Sequence, residues 1–250
     1  MNFAIAVAGK GGTGKTTLAA LIIESLRRAG KTPILAVDAD PNATLGDWLG
    51  IPCACTIADI IEETKGLRNL PEGVSKPAHL EFQIHRTLME TAGVDMLVMG
   101  RPEGPDCYCM ANNMLRGYIS ELAKNYKYVV IDNEAGMEHL NRKTTQDIDA
   151  LLVVSDPTRL GLRTTKRIKE LIDKLSFLTI RNKYLVLNRV TDEVTALEAD
   201  IKETGLDFIG TLPFESAVQK LESSGQPIST LPPDSALFKA VGKILNKILK

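Results

Sequence analysis

The fold of this 250-residue chain is decided by the stretch Gly9-Lys10-Gly11-Gly12-Thr13-Gly14-Lys15-Thr16-Thr17. Its pattern, G-x-x-x-x-G-K-T, is typical of a phosphate-binding loop between a strand and a helix. The flanks agree, because residues 3–8 form an apolar run of strand length and residues 18–29 have helical periodicity. Glycines allow backbone N–H groups to curve around phosphates at a helix N-terminus. The stretch therefore predicts a nucleotide-binding loop.

Individual side chains near this loop have predicted roles. Lys15 would reach the β- and γ-phosphates, and the Thr16 hydroxyl would ligate Mg²⁺. A second apolar run, 33–37, ends in Asp38-Ala39-Asp40. Beside a P-loop, one such carboxylate can hold Mg²⁺ through water and another can orient the attacking water.

The most legible strand pattern, residues 128–131, ends in Asp132. A P-loop fold uses an acidic residue at such a strand end to place a carboxylate near Mg²⁺. Gly136 follows shortly afterwards, and its backbone N–H could sense the γ-phosphate.

Strand and helix patterns alternate along the whole chain, which predicts an α/β fold with one doubly wound, mostly parallel sheet flanked by helices. No composition change marks a domain boundary, so residues 1–250 are interpreted as a single P-loop ATPase domain. Residues 45–70 have an irregular helical pattern. Further predicted strands are 94–99, 150–155, 183–188 and 208–212, and further predicted helices are 81–92, 110–124, 161–175, 195–203 and 235–250.

Composition excludes some classes of protein. The formal net charge of −1 gives no basic field for nucleic acid. No apolar run approaches the roughly 20 residues that span a bilayer. The first strand begins at once, without a signal peptide, which predicts a cytoplasmic protein. The amphipathic basic helix at 235–250 could lie on a membrane or dock on the sheet, and docking is favoured because no linker precedes it.

Four cysteines form two Cys-x-Cys pairs, Cys53 with Cys55 and Cys107 with Cys109. In an extended segment, residues i and i+2 point the same way, so each pair could aim two thiolates at one metal ion. Such an ion generally takes about four ligands. The same pair on a second chain could supply the rest across a two-fold axis, or the other pair within one chain could do so. Metal binding is favoured for Cys107 and Cys109, which follow a strand end, and incidental thiols are favoured for Cys53 and Cys55.

The additional early lysine, Lys10, gives the loop a resemblance to the deviant Walker A motif of the ParA, MinD and nitrogenase-iron-protein superfamily. Within it, two segments resemble the CooC-type nickel-insertion ATPases, which include AcsF: Cys107-Tyr108-Cys109, and Asp132-x-x-Ala135-Gly136 with Glu138-His139-Leu140. The resemblance implies a Mg²⁺-dependent ATP hydrolase that acts as a metallochaperone. Its client would be carbon monoxide dehydrogenase or acetyl-CoA synthase.

The resemblance also implies residue roles. In an ATP-stabilised homodimer, Lys10 would reach the partner's phosphates, Asp40 would position the attacking water, and both would act with Lys15 as catalytic residues. Cys107 and Cys109 of two subunits would hold one Ni²⁺, with Zn²⁺ as a possible substitute in vitro. Asp38, Asp132 and Thr16 would support Mg²⁺. Contacts to ATP or ADP would come from Gly11, Gly12, Thr13, Gly14, Lys15, Thr16 and Thr17 at the phosphates, and from Asn188, Pro213 and Glu215 at the adenine.

Two other functions are compatible with the sequence. A positioning ATPase of the ParA/MinD kind would act on a membrane or DNA surface, although the near-zero charge and the missing linker count against it. A reductase ATPase would hold a bridging [4Fe–4S] cluster through cysteines, although no cysteine follows Asp132. The metallochaperone is favoured, with a second copy and a nickel enzyme as partners and without nucleic acid or membrane.

Overall fold

The strands of the chain form one parallel sheet. The computed structural model describes residues 2–66, 76–100, 117–134, 147–174 and 179–250. Its seven strands lie in the order β3-β2-β4-β1-β5-β6-β7, and all neighbouring pairs are parallel. The predicted doubly wound α/β fold is confirmed. The strands are β1 (Phe3–Gly9), β2 (Ile34–Ala39), β3 (Val94–Val98), β4 (Tyr128–Asn133), β5 (Asp147–Ser155), β6 (Thr179–Val190) and β7 (Asp207–Pro213).

Helices occupy most of the connections between these strands. Residues 117–123 are helical, and short 3₁₀ turns lie at Thr195–Leu197 and Ile228–Thr230. Among the helices that the structure describes, none is long and apolar enough to cross a membrane. The labelled helices are α1 (Lys15–Arg28), α2 (Leu45–Leu49), α3 (Ile57–Gly66), α4 (Lys76–His85), α5 (Arg159–Asp173), α6 (Glu198–Glu203), α7 (Ser216–Ser224) and α8 (Ala236–Ile248).

Both faces of the sheet are buried, and β1 shows how. Its alanines at positions 4, 6 and 8 belong to one hydrophobic cluster, whereas Ile5 and Val7 belong to another. Successive side chains of a strand point to opposite faces, so a strand that is apolar at every position needs cover on both. The first cluster includes residues of α3 and α5, and the second includes residues of α1 and α8.

Two helix predictions differ from the structure. The helix expected at 81–92 is Lys76–His85. It ends early because the chain turns, with Thr87 donating to the Ile84 carbonyl through its hydroxyl, and Met89 then pairs with Met96 in an antiparallel bridge. The irregular helical stretch at 45–70 is interrupted after α2, where Gly50 has a φ of 69°. Residues 51–56, with Cys53 and Cys55, are neither helix nor strand.

The predicted docking of the terminal helix is confirmed. Helix α8 begins at a Ser235 cap, whose side chain accepts a hydrogen bond from the N–H of Phe238, and it packs on β7 and α1. The Arg28 guanidinium of α1 lies 4.1 Å from the centre of the Phe238 ring. It also donates to the Ser229 and Leu231 carbonyls. The apolar face that could have met a membrane is buried through Leu237, Phe238, Val241, Ile244, Leu245 and Ile248.

Candidate nucleotide-binding site

The P-loop connects the carboxyl end of β1 to the first turn of α1. A Cβ atom at Gly9, where φ is 152°, would lie 2.5 Å from the Val154 carbonyl oxygen of β5. The loop closes on itself through Thr13, whose hydroxyl donates to the Lys10 carbonyl at 2.8 Å. Lys15 is buried and forms no ion pair within the described part of the chain, whereas Lys10 is exposed. A buried ammonium group in this loop fits an anionic ligand such as a phosphate.

Asn188, near the end of β6, holds the P-loop from the other side. Its Nδ2 donates to the Thr13 carbonyl at 2.8 Å, and its Oδ1 accepts from the N–H of Arg189. A Cβ atom at Gly14, where φ is 89°, would lie 2.2 Å from Nδ2 of Asn188. Glycine is therefore required at position 14 by both conformation and space. Asn188, which is predicted to bind the adenine, thus also touches the phosphate-binding loop directly.

Two buried aspartates lie side by side at the same edge of the sheet. Asp38 of β2 and Asp132 of β4 are paired in register, and both are 0% exposed. Oδ1 of Asp38 accepts from the N–H of Asp40 at 3.1 Å, and Oδ2 accepts from the N–H of Leu45 at 2.9 Å. Neither oxygen of Asp132 has a hydrogen-bond partner in good geometry among the described residues.

Asp40 lies in the turn that follows β2. Its Oδ1 accepts from both the backbone N–H and the side-chain amide of Asn42, each at 2.9 Å. Ala43 closes the turn with a φ of 52°. These contacts engage one carboxylate oxygen and leave the partly exposed side chain at the cleft described next, where it can face a water molecule.

One cleft of about 790 Å³ joins most of the predicted residues. Thr13 is buried and does not line the cleft. Sequence reasoning missed Trp48, Arg189 and Phe214 in this cleft, although Phe214 lies within the predicted loop 213–215. Cys107, Cys109 and Gly136 lie outside the described residues. The predicted residues that line the cleft are Gly11, Gly12, Gly14, Lys15, Thr16, Thr17, Asp40, Asn188, Pro213 and Glu215.

Comparison with known proteins agrees with this geometry. Residues 4–228 match the family model of the CobQ/CobB/MinD/ParA nucleotide binding domain. The chain belongs to this family. An uncharacterized ATP-binding protein of Methanocaldococcus jannaschii, MJ0685, is 43% identical over 98% of this chain and 98% of its own length. The carbon monoxide dehydrogenase accessory protein CooC of Rhodospirillum rubrum is 30% identical over 92% of this chain and 90% of its own length.

Solved structures of the CobQ/CobB/MinD/ParA family have the same fold. The septum site-determining protein MinD of Pyrococcus horikoshii, complexed with Mg-ADP, aligns with a TM-score of 0.72 at 22% identity. The alignment covers 100% of this chain and 97% of MinD. The protein is accordingly a P-loop ATPase of this family.

The edge of the sheet where Asp38 and Asp132 lie side by side fits a divalent cation. Burial raises the pKa of Asp132 to about 7, and the charge of Asp38 adds to the rise, although the hydroxyl of Thr16 and the ammonium of Lys15 oppose it. Burial raises the pKa of Asp38 to about 6, against its two backbone hydrogen bonds. A bound cation would remove the penalty on the ionised forms.

The number of protein ligands at this edge also fits Mg²⁺. The described residues contain no group of three or more His, Cys, Asp or Glu side chains placed to hold a metal ion. Mg²⁺ usually takes one or two carboxylates and completes its shell with water and substrate phosphates. The hydroxyl of Thr16 and the unpaired carboxylate of Asp132 therefore suit Mg²⁺ that arrives with a nucleotide.

The Cys53–Cys55 pair does not form a comparable site. Cys53 is exposed and donates weakly to the Cys55 carbonyl at 3.7 Å, whereas Cys55 packs partly against the core. Burial raises the pKa of both thiols, and the charge of Asp59 raises each further. Since the thiolate is the metal ligand, these raised pKa values disfavour the metal-binding form of both thiols when no metal is present.

Proposed function

We propose that this ATPase is a nucleotide-switched metallochaperone that inserts Ni²⁺ into carbon monoxide dehydrogenase or acetyl-CoA synthase. One observation carries the proposal: CooC is similar over nearly the full length of the chain, at 30% identity over 92% of its residues. The sequence adds the thiol pair Cys107-x-Cys109, which suits a borderline metal ion such as Ni²⁺. Thiolates need a reducing compartment, so the proposed place of action is the cytoplasm.

In the proposed hydrolysis, the P-loop holds the triphosphate. The buried aspartates at the carboxyl ends of β2 and β4 support the Mg²⁺ that accompanies it. Lys15 binds the β- and γ-phosphates, and the Thr16 hydroxyl and the Asp132 carboxylate hold Mg²⁺. When bound, Mg²⁺ neutralises charge that develops on the phosphate oxygens. Asp40 orients the attacking water at the γ-phosphate, and Asn188 with the 213–215 loop binds the adenine.

The proposed dimer follows from Lys10. Its side chain is exposed at the P-loop, whereas Lys15 is buried in the same loop. Lys10 is therefore free to contact the phosphates of a partner subunit, which would make dimerisation depend on ATP. A two-fold interface would also bring Cys107 and Cys109 of both subunits together where the pair lies at the two-fold axis, since residues on the axis meet their own copies.

The switch requires that Ni²⁺ binds more tightly to one nucleotide state than to the other. A ligand shifts a conformational equilibrium only by its differential affinity, and the coupling is reciprocal. ATP should therefore raise Ni²⁺ affinity, and Ni²⁺ should raise ATP affinity by the same factor. Hydrolysis would then lower metal affinity and release Ni²⁺ to the client.

A positioning ATPase remains the second candidate, because MinD has the same fold. The buried apolar face of α8 counts against it, since a helix docked on α1 and β7 cannot insert that face into a bilayer. Cosedimentation with anionic vesicles or DNA in the presence of ATP would favour this candidate if it accompanied an absence of Ni²⁺ binding.

The deciding experiment is an anaerobic Ni²⁺ titration with and without a non-hydrolysable ATP analogue, scored for metal content and oligomeric state. We expect about one Ni²⁺ per two chains, bound only by the nucleotide-loaded dimer. Cys107→Ser and Cys109→Ser should abolish binding, and the matched controls Cys53→Ser and Cys55→Ser should retain it. One metal ion per chain, independent of nucleotide and dependent on all four cysteines, would end the nickel-insertion proposal.

A further inference from the structure

Asn133, the last residue of β4, makes an unusual contact with β1. It is 0% exposed. Backbone pairing between the two strands ends where Val7 faces Asp132. Beyond that point, Nδ2 of Asn133 donates to the Val7 carbonyl oxygen at 2.9 Å. The side-chain amide therefore continues the contact between β1 and β4 past the last backbone pair.

This contact lies behind the nucleotide site and not in it. Along β4, Val129 and Ile131 belong to one hydrophobic cluster and Val130 to the other. Since side chains alternate along a strand, Asp132 lies on the α1 face and Asn133 on the opposite face. Asn133 can therefore influence Asp132 only through the backbone that they share.

The side chain at position 133 has to donate a hydrogen bond without carrying a negative charge. This edge already contains three aspartates, and the negative charges of Asp38 and Asp40 disfavour ionisation of Asp132. A carboxylate at position 133 would add another negative charge, and an apolar side chain could not donate to the Val7 carbonyl. An amide supplies the donor without charge.

The other end of the amide is unsatisfied. Oδ1 of Asn133 is buried and has no hydrogen-bond partner within the described residues. A buried acceptor without a donor is destabilising, and such groups in a native fold require an explanation. The cost of the unsatisfied Oδ1 offsets part of what the bond from Nδ2 contributes to stability.

We propose that Asn133 is a positioning residue for ATP hydrolysis. Its bond to the Val7 carbonyl fixes the separation of β1 and β4 where both strands enter the site. That separation holds the Asp132 carboxylate opposite the Thr16 hydroxyl, and these two groups would hold Mg²⁺. The inference rests on the proposed Mg²⁺ role of Asp132, and Asn133 itself touches neither the nucleotide nor the metal.

The test compares steady-state ATP hydrolysis across a Mg²⁺ titration in Asn133→Ala and the parent protein. We expect kcat to fall about 10-fold and the Mg²⁺ concentration for half-maximal activity to rise about 10-fold, the range seen when support of a metal ligand is removed. ADP affinity without Mg²⁺ should stay within about 2-fold, because the P-loop contacts remain. The control is Asn182→Ala, which removes a bond from an exposed side-chain amide to the Asp149 carbonyl near the amino-terminal ends of the strands.

Asn133→Asp supplies a second readout. A protonated carboxyl can donate to the Val7 carbonyl, whereas an ionised one cannot. At a fixed alkaline pH, Asn133→Asp should therefore show the same loss of kcat and the same raised Mg²⁺ requirement as Asn133→Ala. This variant also keeps the test available if Asn133→Ala does not fold.

Three results would overturn the inference. The first is lower thermal stability with unchanged kcat and Mg²⁺ dependence, and the second is an equal loss of Mg²⁺-free ADP binding. The third is an Asn133→Asp variant whose kcat and Mg²⁺ requirement equal those of the parent at the same alkaline pH. Asp132→Asn separates the two levels of the argument. If Asp132→Asn leaves the Mg²⁺ requirement unchanged, the proposed Mg²⁺ role of Asp132 fails. If Asp132→Asn raises the Mg²⁺ requirement and the Asn133 variants do not, only the positioning role of Asn133 fails.

Discussion

The carboxyl ends of β2 and β4 hold equivalent aspartates in different ways. Asp38 and Asp132 are direct neighbours in register and equally buried. The loop after β2 folds back, so that the N–H groups of Asp40 and Leu45 donate to Asp38. Asp132 receives no such bond from the described residues. The first carboxylate is already engaged by its own chain, and the second is left for a ligand.

Both carboxylates have raised pKa values. Burial raises both, to about 6 for Asp38 and about 7 for Asp132. Hydrogen bonds to an ionised carboxylate lower its pKa, and Asp38 has two from the backbone. Each aspartate is therefore unfavourable when it is ionised without a ligand. Active sites commonly lose stability in this way for the sake of function.

The largest expected effect comes from removing the carboxylate of Asp132, which is left for a ligand. Asp132→Asn should lower Mg²⁺-dependent ATP hydrolysis about 100-fold, because a cation that stabilises transferred phosphate would lose its anionic partner. Phosphate release measured across a Mg²⁺ titration would show both the lower kcat and the higher Mg²⁺ requirement. A loss of activity of less than about 3-fold would mean that Asp132 is not the carboxylate that serves the cation.

The next effect is on stability as a function of pH. Because the folded pKa of Asp132 lies near 7, above an ordinary aspartate value, the folded protein binds more protons than the unfolded chain between pH 4 and 7. The stabilisation that proton binding to Asp132 gives the folded protein is fully present below about pH 4 and is lost as the pH rises through 7. We expect the free energy of unfolding without nucleotide to fall by about 2 kcal/mol from pH 5 to pH 8 through Asp132.

Denaturant unfolding at several pH values would measure this slope. Asp132→Asn cannot ionise at the position, so its unfolding free energy should vary less with pH by about the same 2 kcal/mol. It should also be more stable than the parent at pH 8, while being nearly inactive. An identical slope in the two proteins would show that Asp132 titrates normally when no nucleotide is bound.

The sequence predicted the parts of this edge that have local signatures. Apolar runs ending in Asp38 and Asp132, and the glycine pattern of the P-loop, each occupy a few adjacent residues. Parallel pairing then brings strand ends to one edge, as topology requires. The fold and most of the cleft could therefore be predicted, including Asn188 and the loop at 213–215 through the resemblance.

What the sequence could not predict depends on contacts between distant residues. That Asp38 is engaged and Asp132 is not depends on how the 40–45 loop folds back. The bond from Asn133 to Val7 joins residues 126 positions apart. Helix α7 has only a short apolar pattern, and the carboxylate of Glu215, the residue before it, accepts from the N–H of Leu237. No window of sequence contains such partners.

The smallest effect should come from the engaged carboxylate. Asp38→Asn keeps one acceptor but places an amide NH₂ against either the Asp40 or the Leu45 N–H, which should destabilise the fold by about 1–3 kcal/mol. Loosening of the 40–45 loop would disturb Asp40, so kcat should fall about 10-fold while the Mg²⁺ requirement stays within about 2-fold. Hydrogen exchange at the N–H of Leu45 would report the loosened loop directly. If Asp38→Asn instead raised the Mg²⁺ requirement as much as Asp132→Asn, both carboxylates would serve the cation, and backbone hydrogen bonding would not be what separates them.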